Sequence, residues 1–175
     1  MNFGHPINPH LSNKFSQINS AIKNNDRKFI KRLIDCKVCF SPTEEGVCIE
    51  LPFVLACELG HLEIVEMLIK HRSDINLDID EFLEEEFWDE ALTGLMAASG
   101  RGHIQIVRNL IRAGANPNIQ TCYGETALSF AARGGHVDVF EELAPLVTCM
   151  DSEHIDIIRR IAESELKLNF RHKSQ

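Results

Sequence analysis

A short pattern returns along this chain at a nearly constant spacing, and it restricts the possible folds more than any other feature. Leu59-Gly60-His61-Leu62-Glu63-Ile64-Val65 comes back as Arg101-Gly102-His103-Ile104-Gln105-Ile106-Val107, and again as Gly134-Gly135-His136-Val137-Asp138-Val139-Phe140. His103 and His136 stand 33 residues apart, while His61 and His103 stand 42 apart, nine more than that period. A unit of this size cannot bury its own apolar stripe, so copies of it must stack, each covering its neighbour.

The residues around the repeated Gly-His describe two short helices per unit. Thr93 and Thr126 open the stretches Gly94-Leu95-Met96-Ala97-Ala98 and Ala127-Leu128-Ser129-Phe130-Ala131-Ala132. A threonine hydroxyl at such a position accepts from an amide that the helix leaves without a partner. The paired alanines are small enough for adjacent helices to approach closely. Gly60, Gly102 and Gly135 fall where the first helix should end, a place that often needs a left-handed backbone. Ile106, Val107, Leu110 and Ile111 then recur at helical spacing, and Gly114 is placed to close that second helix. An earlier copy is looser, Leu51-Pro52-Phe53-Val54-Leu55-Ala56-Cys57-Glu58 before Leu59, with Pro52 suited to a first helical turn. A degenerate first copy aligns Ala21 with Ala56, Asn25 with Gly60, and Phe29 to Ile34 with Ile64 to Ile69.

Over residues 15 to 147 the chain resembles the ankyrin-repeat family, whose unit runs T-P-L-H-x-A-A-x-x-G-H and then I-V-x-x-L-L-x-x-G-A-x-x-N. Ala113-Gly114-Ala115-Asn116-Pro117-Asn118 matches the end of that unit, and Ser73-Asp74-Ile75-Asn76 does so more loosely. The resemblance implies an all-α solenoid of helix-turn-helix repeats with β-hairpin-like fingers between them. Repeats are expected at about 15–45, 46–78, 88–120 and 121–150, in a single domain over 15–168. A capping helix is expected at 153–168, a flexible segment at 1–14 and a tail at 169–175. The family's recurrent histidine is structural, bonding nearby backbone at the corner between the helices, so no metal role is expected for His61, His103 or His136.

Composition narrows the function. Eighteen Lys+Arg against twenty-six Asp+Glu give a net charge of −8, which disfavours general affinity for nucleic acid or an anionic membrane. No apolar run approaches the roughly 18–20 residues that span a bilayer, and residues 1–10 do not read as a signal peptide. A cytoplasmic protein is expected, in a host-cell cytosol if the chain is a secreted effector. Six cysteines are too few for a disulfide scaffold. Cys36 and Cys39 form the one close pair, and with Cys48 and Cys57 they leave a zinc-binding or redox-regulatory reading open as the alternative. No serine-hydrolase elbow, phosphate-binding loop, metalloprotease motif or dinucleotide fingerprint is present, so neither catalysis nor a cofactor is expected.

The break in period carries most of the functional signal. The extra nine residues, 79–87, lie within Asp78 to Glu90, where eight of thirteen residues are acidic and Phe82, Leu83, Phe87 and Trp88 are interleaved. In the family pattern this stretch is a finger projecting toward the concave face. Such a finger can anchor a partner through its aromatic groups while its carboxylates steer a basic recognition segment, or it is a solvated insertion whose aromatics pack back on the adjacent repeats; the sequence leaves both readings open. The resemblance places finger residues and the exposed position before Gly-His on the same groove. The candidate contacts are therefore Phe82, Phe87, Trp88, Asp89, Glu90, Leu92, Arg101, Tyr123, Glu125 and Arg133. The expected function is a non-enzymatic protein-protein interaction module of adaptor, inhibitor or effector type, acting as a monomer. A self-associating unit, joined through an incompletely polar cap or the aromatic finger, is a further alternative.

Overall fold

Local hydrogen bonding at the threonines and glycines builds the helices that the repeat predicts. The computed structural model describes residues 9–35, 52–71 and 92–173. Among them the chain forms α1 (Pro9–Lys23), α2 (Arg27–Asp35), α3 (Pro52–Glu58), α4 (Leu62–His71), α5 (Gly94–Gly100), α6 (Ile104–Arg112), α7 (Ala127–Arg133), α8 (Val137–Leu143) and α9 (Ser152–Lys173). A 3₁₀ turn, Ala144–Leu146, follows α8. No strand occurs among the described residues, and the architecture is an all-α solenoid. The acidic insertion 79–87 lies outside the described residues. At the termini the helices run further than the repeat alignment implies. α1 begins at Pro9, inside the segment expected to be flexible, and α9 continues to Lys173, past the boundary drawn at 168.

Four helices open on side-chain caps. Thr93 Oγ1 accepts from the Met96 amide at 3.1 Å. Thr126 caps α7 and exchanges bonds with Ser129 in a reciprocal box. Asp26 Oδ1 accepts from the Phe29 amide at 3.0 Å, and Asp151 Oδ1 from the His154 amide at 2.8 Å. Asp151 also takes a bond from His154 Nδ1 at 2.7 Å. The backbone bond first, and then the imidazole, hold the Asp151 carboxyl below its ordinary pKa. A depressed folded pKa contributes stability that is complete above the unfolded value and disappears as pH falls through the folded one. The first turn of α9 is therefore expected to fray below about pH 4. Amide exchange at Glu153 to Ile155 checks this, and Asp151→Asn, which still caps, should abolish the acid step.

The helices stack in two rows. α1, α3, α5, α7 and α9 contact one another in sequence on the inner side, and α2, α4, α6 and α8 do so on the outer side. Ala56, Ala97, Ala98, Ala131 and Ala132 are buried between the inner helices, where larger side chains would hold neighbours apart. The outer helices fill the core with Ile30, Ile64, Val65, Leu68, Ile106, Val107, Leu110, Val139, Phe140 and Leu143. Polar pairs cross from repeat to repeat along the outer row, Arg27 with Glu63 at 3.0 Å, Asn109 with Glu66 at 2.9 Å and Arg108 with Glu142 at 2.9 Å, and Arg159 of α9 reaches Glu141 of α8 at 3.1 Å. Exposed pairs of this kind each contribute less than about 1 kcal/mol, so the apolar stripes hold the stack. α9 occupies the inner-row place of a fifth repeat, packing on both α7 and α8.

The Gly-His recurrence acts as a joint between repeats. The His103 Nε2–H donates to the Glu58 carbonyl at 2.9 Å, and the His136 Nε2–H donates to the Gly100 carbonyl at 3.2 Å. Each ring thus caps the inner helix of the preceding repeat and lies against its left-handed glycine. A Cβ added to Gly60, at φ +77°, would come within 2.7 Å of the His103 ring. The first repeat has Asn25 at this place, also left-handed at φ 52°, and Asn25 carries that Cβ. The Nε2 of His61 correspondingly has no hydrogen-bond partner among the described residues.

Candidate functional site

The finger of the fourth repeat is described in full, and its geometry follows from Thr121 and Gly124. The Thr121 amide donates to the Glu125 carbonyl at 2.9 Å, and the Gly124 amide donates to the Thr121 carbonyl at 2.8 Å. The Glu125 amide adds a bond to Thr121 Oγ1 at 3.2 Å. This is the bonding of a three-residue hairpin loop whose last position is a left-handed glycine, here at φ +74°. The loop raises Tyr123 at its tip, where 69% of the residue is exposed. A ring with few rotatable bonds on a rigid loop offers contact area at low entropic cost.

Beneath the finger, Arg133 at the end of α7 donates to Glu125 Oε1 at 2.6 Å. Its guanidinium also lies 4.7 Å from the centroid of the Phe130 ring. Two of the sequence-predicted contacts, Glu125 and Arg133, are therefore brought together directly. Arg101, one repeat earlier, instead pairs with Glu58 at the end of α3. Both pairs are largely solvated, so they orient the side chains more than they stabilise the fold. Their effect on recognition is specific. The carboxylates of Glu58 and Glu125 already face arginines of this chain, and a basic ligand gains them only by displacing Arg101 or Arg133.

Leu92 is half-buried and packs against the core, so its side chain serves the fold at least in part. Phe82, Phe87, Trp88, Asp89 and Glu90 lie outside the described residues. One candidate escaped the sequence reading. Leu59, at the end of α3, is 42% exposed beside Glu58. It occupies the motif position of Arg101, which is solvent-facing, so the repeat alignment already held the signal.

Among the described residues no cluster of three or more His, Cys, Asp or Glu side chains is arranged to hold a metal. Cys57 is in the hydrophobic core, and Cys36, Cys39 and Cys48 lie outside the described residues. No described helix is long and apolar enough to cross a membrane.

Stacked helix pairs, capping threonines, histidine joints and a hairpin finger define an array of ankyrin type. The family model for ankyrin repeats in three copies matches residues 77–147, and the single ankyrin-repeat model matches residues 51–80. Three relatives illustrate the range. The chain is 37% identical over 81 residues to "Ankyrin repeat and KH domain-containing protein 1" of Homo sapiens, covering 46% of this chain and 3% of that protein. It is 30% identical over 118 residues to "E3 ubiquitin-protein ligase XBAT33" of Arabidopsis thaliana, covering 67% and 21%. It is 36% identical over 93 residues to "Putative ankyrin repeat protein YahD" of Escherichia coli (strain K12), covering 53% and 42%. This chain belongs to the ankyrin-repeat family. It spans less than half the length of each of these relatives. Repeats of this family are protein-protein interaction modules.

Proposed function

We propose that this chain is a non-enzymatic binding module, of adaptor, inhibitor or effector type, that holds a protein partner across its concave groove. Tyr123 carries the reading: a large aromatic group stands exposed on a loop that three hydrogen bonds make rigid. Leu59 adds an apolar contact two repeats away, and the arginines of the Glu58–Arg101 and Glu125–Arg133 pairs present fixed donors between such anchors. The acidic-aromatic segment Asp78 to Glu90 supplies the steering charge toward a basic recognition segment, since its carboxylates are concentrated in one place. The working compartment is the cytosol, that of a host cell if the chain is a secreted effector, in keeping with reduced thiols and an acidic surface.

Capture from source-cell lysate on the full chain tests this, using Tyr123→Ala and a chain lacking residues 79–87 beside the wild type. A captured protein should bind Tyr123→Ala about tenfold more weakly, with circular dichroism and melting unchanged. Deletion of 79–87 should slow association and remove its dependence on salt. A partner held equally by all three chains would sink the groove and the finger together.

A further inference from the structure

On the reading that a partner is held across the concave groove, we propose that Arg101 and Arg133 receive carboxylates of that partner, an extended segment with two acidic side chains about three residues apart. Exposure sets the polarity of the two ion pairs on which this rests. The Arg101 and Arg133 side chains are 62% and 60% exposed, against 40% for Glu58 and 30% for Glu125. In each pair the cation is turned to solvent and the carboxylate is the more covered group. A basic segment laid here would meet two guanidinium groups first, whereas an acidic one meets its complement.

Each guanidinium donates to its own carboxylate through a single nitrogen, Arg101 Nη2 to Glu58 and Arg133 Nη1 to Glu125. The rest of each planar fork is left for a ligand, and a carboxylate is the group whose two oxygens match it. Because the intrachain bond already orients the fork, little entropy is lost when a second carboxylate arrives. The Phe130 ring holds Arg133 further. It also places both arginines on one seam, since it lies 3.5 Å from where a Cβ of Gly100 would stand, and Gly100 adjoins Arg101. Gly100 belongs to α5 and Phe130 to α7, which pack side by side. Helices in contact lie about 8–10 Å apart, and an extended chain advances about 3.3 Å per residue. Acidic side chains at that spacing can therefore reach the two forks together.

The net charge of −8 opposes the approach of an acidic segment at long range. Recognition here is accordingly short-ranged and geometric, which favours a preoriented fork over a loose cation. Apolar groups flanking the two acids would meet Leu59, which adjoins Glu58, and Tyr123, two residues before Glu125. A basic segment drawn by Asp78 to Glu90 is a separate part of the same partner.

Selection from a displayed library of random-sequence peptides on the full chain tests this. The wild type should enrich peptides with two acidic side chains about three residues apart. One such peptide, synthesised with a fluorescent label, then serves as the probe in anisotropy titrations. Arg101→Gln with Arg133→Gln should bind it about tenfold more weakly, the scale of two solvated ion pairs, with circular dichroism unchanged. Arg101→Lys with Arg133→Lys keeps the charges and loses the forks, and should still weaken binding several-fold. A probe with its two acids replaced by lysine should not bind. Selected peptides that lack the acid pair but are lost on Tyr123→Ala would overturn the carboxylate proposal and leave the groove standing. A probe held equally by the wild type and either arginine variant would overturn it too. Peptides indifferent to Tyr123→Ala and to both arginine variants, or no selected peptide at all, would overturn the groove and its carboxylate receptors together.

Discussion

Gly102→Ala is expected to destabilise the protein by about 3 kcal/mol, a fall in melting temperature of about 9 °C for a chain of this size. Two separate effects add. Gly102 has φ +74°, where any other L-residue costs about 1–2 kcal/mol. A Cβ there would also enter the His136 ring, which lies against the glycine. The ring must swing away and give up its bond to the Gly100 carbonyl, worth about 1 kcal/mol. Gly114 provides the control, since it too is left-handed, at φ +94°, but has nothing within 4 Å of an added Cβ. Gly114→Ala should therefore cost only the backbone share, about 1–2 kcal/mol. Thermal or urea melts of both variants measure the difference. Equal losses would show that the histidine joint adds nothing to the coupling between repeats.

The second large effect is expected in binding. Phe87→Ala with Trp88→Ala should weaken a captured partner by about 2 kcal/mol, roughly thirtyfold in Kd, with the melting temperature unchanged. Aromatic groups among carboxylates form a contact in which the rings supply burial and the charges supply approach. If the rings pack on adjacent repeats instead, the same double variant would melt lower and bind equally well per folded molecule. Calorimetric titration beside a melt of each variant separates the two outcomes.

The folding of the repeats was legible because its determinants are local. Thr93 reaches an amide three residues on, and the apolar stripe of α6 is set by helical periodicity. The motif's proline is less informative, because this chain replaces it twice. Gly94 stands in its place in the third repeat, and a Cβ there would come within 2.8 Å of the Phe53 ring and 3.1 Å of Cys57 Sγ. The constraint on residue 94 thus comes from the previous repeat, and nothing beside Gly94 in the sequence announces it. The same holds for the candidate site. Arg101 was identified by its motif position, but its attachment to Glu58, 43 residues earlier, exists only once two repeats are stacked.

By itself, then, the sequence determined the repeat, its period, the two helices of each unit and the corners between them. Those features depend on backbone preferences and on bonds spanning a few residues, and they recur wherever the motif does. Tertiary structure alone decided that the carboxylates of Glu58 and Glu125 are engaged by arginines, and that Ile157 and Ile161 of α9 stand exposed while Ile155 and Ile158 pack on the core. Exposure and charge pairing are properties of surfaces brought together by stacking. The same residue type is buried or presented according to the neighbour that covers it, and that neighbour lies a repeat away in the chain.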